Sequence, residues 1–276
     1  MARAVDGFDH AVIGVADLEA ARDVWRRLGF VVTPRGRHVG WGTGNYCIML
    51  GGTYIELLGI VNPAEFLNGL DAKLAGSGEG LLSLSFATHD AETARGELSA
   101  RGFALDAVQA LGRKLEMPSG DVMPQFRLLH LPAGTLPGIG SFLTEHLTPD
   151  LLRLPEWLVH PNGARDLQSA LLVVADPPAL QDSCERLFGT GSCNLTDRTL
   201  TTVIGPHALA LMPPDEADAV LEDATAMLSV RVADIAQVAL ALKANRVPCR
   251  PLGEGTLIVE PQHATGVLLE FTEKDL

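Results

Sequence analysis

Residues 10–30 read HAVIGVADLEAARDVWRRLGF: an apolar run, an aspartate at 17, apolar residues at 18, 21, 25 and 28 among charged ones, and a glycine at 29. The apolar run fits a buried strand, and the spacing of Leu18, Ala21, Trp25 and Leu28 puts them on one stripe of an amphipathic helix. Asp17 stands where an N-cap carboxylate accepts from the free N–H groups of a first helical turn, and Gly29 where a left-handed residue ends a helix most readily. The same element recurs at residues 81–103 (LLSLSFATHDAETARGELSARGF), 169–189 (SALLVVADPPALQDSCERLFG) and 227–247 (MLSVRVADIAQVALALKANRV). Asp90, Asp176 and Asp234 repeat the cap. Gly102 repeats the stop and Asn245 stands near it in the last copy, while Pro177 and Pro178 suit a helix start, where a missing N–H costs nothing.

Strand signals follow each helix. In the first copy they fall at residues 30–33 (FVVT), 46–50 (YCIML) and 53–60 (TYIELLGI), with Gly51-Gly52 as a tight hairpin turn. In the last copy they fall at residues 256–260 and 266–271. The order is β-α-β-β-β, four times over. The capping aspartates are 73, 86 and 58 residues apart, too irregular for a solenoid of equal repeats. Residues 148–166 carry three prolines and the turn Pro161-Asn162-Gly163, which marks a linker. The predicted class is therefore α+β, with βαβββ modules paired into one domain over residues 1–150 and another over 160–276.

Composition limits what such a chain can do. At 276 residues and 47% hydrophobic content it can bury a sizeable core. Its apolar runs are far short of the roughly 18 residues that cross a bilayer, and its start lacks the apolar stretch of a secretory signal, so a cytoplasmic protein is expected. Cys47, Cys184, Cys193 and Cys249 form no CxxC pair, which fits reduced thiols. A formal net charge of −13 argues against nucleic acid or an anionic membrane as partner, and 5% aromatic content against a base-stacking platform. A small-molecule partner is the expectation.

Residues 37–46 (RHVGWGTGNY) hold three glycines, but in the order G-x-G-x-G and with strand signals on both sides. A phosphate-cradling loop needs a helix after it, so the nucleotide reading fails. The stretch reads as a hairpin region whose small residues let backbone pass close to a cleft. His38, Thr43 and Asn45 are then candidates either for ligand contact or for holding the turn itself.

The serial βαβββ modules resemble the vicinal oxygen chelate superfamily, which includes glyoxalase I, bleomycin-resistance proteins and extradiol dioxygenases. FDHAVIGVADLEAARDVWRRLGF followed by HVGWGTGNYCIMLGGTYIELL looks like the glyoxalase-like domain family, as does HPNGARDLQSALLVVADP at residues 160–177. The resemblance implies U-shaped mixed sheets, each formed by a module pair, with a divalent metal (Zn, Fe, Mn or Ni) held between first and last strands. Carried over residue by residue, it assigns His10 and Glu56 as metal ligands in module one. In module two, aligning Asp90 on Asp17 puts Ser83 at the place of His10, and the last strand, residues 141–146 (SFLTEH), puts Glu145 at the place of Glu56. Glu145 is then both a ligand and the residue that moves a proton on carbon, and Ser83 is the departure, since a neutral hydroxyl is a poor ligand.

Against this stands a plainer reading, in which an arginine or a backbone donor satisfies a strand glutamate without metal. Glu270 occupies the corresponding place in module four without companion ligands, so the second domain is expected to hold no metal. Trp41, Tyr46 and Tyr54 are the cleft aromatics on offer, and Arg127 and His130 lie on opposite faces of a module-two strand, where one of them can point into the cleft. His160 is read as pinning the linker turn; His89, His146, His207 and His263 are read as solvated or structural. Three functions remain open. The first is a metal-dependent lyase or isomerase acting on a small oxygenated substrate. The second is a metal-free, antibiotic-resistance-like binding protein. The third is an extradiol dioxygenase, whose two first-strand histidines neither module pair supplies. Open sheet edges and superfamily habit suggest a homodimer.

Overall fold

The computed structural model describes residues 4–221 and 224–276. The first half runs β1 (Gly7–Gly14), α1 (Leu18–Arg27), β2 (Gly36–His38), β3 (Thr43–Met49), β4 (Tyr54–Ile60), α2 (Leu70–Ser77), β5 (Gly80–Ala87), α3 (Ala91–Ala100), β6 (Gln109–Leu115), β7 (Gln125–His130) and β8 (Gly140–His146). These eight strands close into a barrel of order β1-β4-β3-β2-β6-β7-β8-β5. Within each module the first strand pairs parallel with the last, β1 with β4 and β5 with β8, and the two first strands meet antiparallel. Closure leaves no free edge and an interior about wide enough for side chains or one small ligand.

The second half runs β9 (Ala164–Val173), α4 (Gln181–Phe188), β10 (Cys193–Thr196), β11 (Thr199–Ile204), β12 (His207–Met212), α5 (Pro214–Leu221), β13 (Ala226–Val232), α6 (Ile235–Ala244), β14 (Arg250–Gly253), β15 (Thr256–Val259) and β16 (Leu268–Thr272). Its sheet has the order β10-β11-β12-β9-β13-β16-β15-β14 and stays open. Ala217 and Leu221 of α5 are buried with Leu171, Met227, Ile258 and Leu268. These side chains form an apolar cluster of their own on the second sheet. No helix among the described residues is long and apolar enough to cross a membrane.

The caps form as the spacing predicts. Asp17, Asp90 and Asp234 accept from the backbone N–H of Ala20, Thr93 and Ala236 at 2.9, 2.9 and 2.8 Å. Asp176 reaches Ala179 N only at 3.4 Å, because the Pro177-Pro178 pair opens a tighter 3₁₀ turn (Pro178–Leu180) before α4 begins. In the last copy the left-handed residue is Arg246, at φ 55°, and not Asn245. Residues 30–33 form no strand. Val31 N donates to His160 Nδ1 at 3.0 Å, so this segment serves the linker, and the second strand of module one is Gly36–His38 instead.

One hydrophobic core runs through both halves, from Trp25 and Phe30 to Leu167 and Phe271. Trp25 is fully buried and its indole N–H donates to Thr265 Oγ1 at 3.0 Å. The linker is tied down along its length. Arg153 donates to the carbonyls of Gly51 and Gly52 at the β3–β4 turn, and His160 Nε2 donates to Met49 O at 2.8 Å. Asn162, wholly buried, donates to Leu28 O at 3.0 Å and accepts from Ala164 N at the same distance.

Candidate functional site

The barrel interior holds a cavity of about 350 Å³. Its polar floor starts on β1. Every residue of β1 is buried, and a register shift between Phe8 and His10 interrupts the ladder with β5 where the neighbours Asp9 and His10 meet. His10 Nδ1 lies 2.5 Å from Asp9 Oδ1, and His146 Nε2 lies 2.8 Å from Asp9 Oδ2. Burial would raise the Asp9 carboxyl, but the charge of His146 and the hydrogen bonds from His10 and His146 outweigh it and hold the group well below the ordinary carboxylate range. With Nδ1 committed to Asp9, His10 turns Nε2 to Glu56, 3.4 Å from Oε2. Tyr54 stacks on the His10 ring at 4.2 Å between centroids and fixes its plane.

Glu56 is the centre of the group. Its Oε1 accepts from Asn45 Nδ2 at 2.6 Å and lies 3.6 Å from His38 Nε2. Burial pushes its carboxyl upward; the imidazoles of His38 and His10, the Arg113 guanidinium and the Asn45 amide more than offset that and keep it below its ordinary value. His38 is itself lowered by burial, toward the neutral form, and its Nδ1 lies 2.8 Å from Thr43 Oγ1. Burial likewise keeps the Tyr54 phenol protonated.

The RHVGWGTGNY stretch supplies much of this wall: His38, Trp41, Thr43 and Asn45 all line the cavity. Its flanking Gly36 is needed for space, because a Cβ there would stand 2.1 Å from Asn45 Oδ1 and 2.9 Å from Arg113 Cδ. At Gly42 a Cβ would meet the carbonyl of Asn62 at 2.1 Å, where two backbone N–H groups converge on the Gly42 carbonyl. The rest of the lining is mainly apolar, with Leu58, Leu82, Leu111, Phe126 and Phe142 among it, and α2 brings Leu70 and Lys73.

Tyr54, Ser83 and His130 also line the cavity, as do His10 and Glu56. Glu145 and Arg127 do not. The Glu145 carboxylate accepts from Ala91 N at 3.0 Å, at the start of α3, and pairs with Arg127 at 3.4 Å outside the barrel. The strand register gives the reason. Val12 pairs with Glu56 as Ala87 pairs with Thr144, so Thr144 holds the place of Glu56, and Ser85 that of His10. His10 precedes its capping aspartate by seven residues and Ser85 by only five, so alignment on the caps slips the assignment within module two. His146, one residue beyond Glu145, thereby faces inward to Asp9. Sequence reasoning missed Asp9, hidden by the bulge, and Arg113, which in GRKLE reads as one more solvated cation.

The corners implied for a divalent metal are thus His10, Glu56, Ser85 and Thr144, and the two hydroxyls bond each other at 2.7 Å. One imidazole, one carboxylate and two neutral hydroxyls make a poor set for Zn, Fe, Mn or Ni. Among the described residues no group of three or more His, Cys, Asp and Glu side chains could hold a metal ion. The residues present do not fit the expected metal.

Comparison with known proteins agrees with the fold. A family model described as a glyoxalase-like domain matches residues 8–188. No curated protein sequence matches the chain. Among solved structures, a hypothetical protein from Staphylococcus aureus superposes with a TM-score of 0.65 at 12% identity, over 96% of this chain and 98% of that one. A substituted 4-hydroxymandelate synthase from Streptomyces coelicolor gives 0.62 at 13% identity, over 98% and 92%. A xylose isomerase-like TIM barrel/4-hydroxyphenylpyruvate dioxygenase fusion protein gives 0.58 at 17% identity, over 98% of this chain and 49% of that one. At these identities the likeness shows the fold alone.

Proposed function

The chain belongs to the glyoxalase-like domain family, and on that premise we propose that its N-terminal barrel is the active site of a lyase- or isomerase-type enzyme that moves a proton on a small oxygenated substrate without a resident metal. The observation that carries this reading is the buried line Asp9–His10–Glu56, open to the cavity at its Glu56 end. Glu56, held ionised, is a base. His10 Nε2, oriented by Asp9 and Tyr54, is the group that exchanges a proton with a substrate oxygen. For a carbon acid beside a carbonyl, the C–H proton passes to Glu56 while the oxygen takes the Nε2 proton of a His10 imidazolium whose Nδ1–H stays on Asp9, leaving an enol. Glu56 then returns its proton to the other carbon while the second hydroxyl gives its proton back to Nε2, which completes an isomerisation, or Glu56 protonates a departing β-substituent while the enol O–H gives its proton back to Nε2, which completes an elimination. Positioned acid–base pairs of this kind contribute about 10²- to 10⁴-fold in rate.

The test is proton exchange itself. Small hydroxy-ketones and hydroxy-aldehydes are incubated with the protein in D₂O and the loss of the α C–H signal is followed by NMR. Exchange above the buffer rate, abolished by Glu56→Gln and by His10→Gln, is expected. Compounds that bind the wild type but exchange no faster than in buffer would instead make the barrel a sequestering site, the reading that its largely apolar lining favours.

A further inference from the structure

Arg113, on β6 opposite His38, is 3% exposed and lines the cavity. Its partners are weak ones for a guanidinium. Nη1 donates to the Cys47 sulfur at 2.9 Å, and the Phe126 ring lies 5.6 Å below the guanidinium carbon. That thiol is no anion, since burial pushes Cys47 up to about 11. Nε has no partner, and among the described residues Nη2 makes no hydrogen bond and no carboxylate lies within ion-pair distance. By contrast Arg22, Arg35 and Arg198, all less buried than Arg113, each meet a carboxylate. The charge of Glu56 acts on the guanidinium only from beyond ion-pair distance, and proteins seldom bury a cation without an anion to meet its N–H groups directly.

The unmet donors share one edge. Nε–H and Nη2–H of a guanidinium point the same way and match the two oxygens of a carboxylate. The Arg113 stem is also given room deliberately, since it occupies the space a Gly36 side chain would fill. We propose that Arg113 is the receptor for a substrate carboxylate, seated on its free Nε/Nη2 edge at the cavity wall, with the rest of the molecule against Leu58, Leu82 and Phe126. The substrates of the barrel are then small organic acids, an inference that rests on the proton-transfer reading of the same cavity and narrows its substrate class.

Benzoate and hexanoate, with benzamide and hexanamide as neutral isosteres, serve as probes, and affinity is measured by NMR titration of the full chain. Each acid is expected to bind the wild type about ten- to a hundredfold more tightly than its amide, as a charge-assisted pair requires. Arg113→Met is expected to remove that preference. Arg113→Lys, which keeps the charge but loses the fork, should weaken benzoate binding about tenfold and stands in if the first variant does not fold. Absence of saturable binding by either acid, equal affinity for acid and amide, or wild-type benzoate affinity in either folded variant overturns the assignment. The two readings are separated in the wild type, by following binding and exchange on the same acids and amides. If acids bind but nothing exchanges, the proton-transfer function fails alone; if exchange proceeds equally on acids and their amides, the receptor role fails alone.

Discussion

His10 Nδ1 lies 2.5 Å from Oδ1 of Asp9, the residue before it in the same strand. Adjacent strand residues point to opposite faces, so this bond exists only because of the β-bulge between Phe8 and His10. It fixes which nitrogen of His10 meets Glu56, and Asp9 itself is buried.

Asp9→Asn is therefore expected to cut proton exchange about tenfold or more, by loosening the His10 tautomer and orientation. It should also change the acid limb of stability. The folded-state carboxyl of Asp9 is depressed from its ordinary 3.8. A depressed carboxyl contributes stability above its unfolded-state value and loses it as pH falls toward the folded one. Urea denaturation should show the wild type ahead of Asp9→Asn throughout the neutral range, with the gap narrowing once pH drops below about 4. A gap that widens on acidification would contradict the pairing.

Gly36→Ala tests whether space, not contact, holds the site together. The added Cβ would meet Asn45 Oδ1 at 2.1 Å and Arg113 Cδ at 2.9 Å, and neither can retreat far inside a closed barrel. Overpacking of this kind costs about 1–3 kcal/mol. Chemical denaturation should register that loss, and benzoate affinity should fall with it, because the Asn45–Glu56 bond and the Arg113 stem are displaced together.

The fold was legible because each module states it locally. A strand, a capping aspartate, an amphipathic helix and, in three of the four copies, a glycine stop occur in the same order, and each signal has its own physical cause. The site was legible only in part. His10 and Glu56 stand out as polar residues in apolar strands, and the residues of RHVGWGTGNY lie on the cavity wall. Module two misled twice: alignment on the cap moved the first-strand position by two residues, from Ser85 to Ser83 on the same face, and reading the last strand by its glutamate moved that position by one, from Thr144 to Glu145 on the opposite face. Asp9 was hidden by a bulge that no residue type announces. Arg113 was hidden because its burial follows from a glycine on a neighbouring strand.

The linker ties the two halves together through buried contacts. Asn162 is wholly buried and holds Leu28 O and Ala164 N, and the core beneath it is continuous from Trp25 to Phe271. Asn162→Ala would strand those backbone groups and is expected to cost about 1–3 kcal/mol. Residues 1–150 expressed alone would expose Trp25 and Phe30, and should show no cooperative unfolding transition by circular dichroism. A truncated chain melting as sharply as the full one would show the halves to be independent.

The strongest test of the corner assignment is to complete it. Ser85 and Thr144 occupy the places that mirror His10 and Glu56, and they satisfy each other through a 2.7 Å hydrogen bond. The wild-type protein, loaded with zinc or manganese and then dialysed, is expected to retain far less than one metal per chain by elemental analysis. Ser85→His combined with Thr144→Glu would bring two imidazoles and two carboxylates to one point of the barrel, a donor set suited to a first-row divalent ion. That double variant should retain about one metal per chain and melt at a higher temperature when metal is added, since an ion bound only by the folded state stabilises it. Ser83→His combined with Glu145 left in place should gain nothing, because Glu145 stays outside on the first turn of α3. Metal uptake by that second variant, or by the wild type, would mean that the register places the wrong residues at the corners.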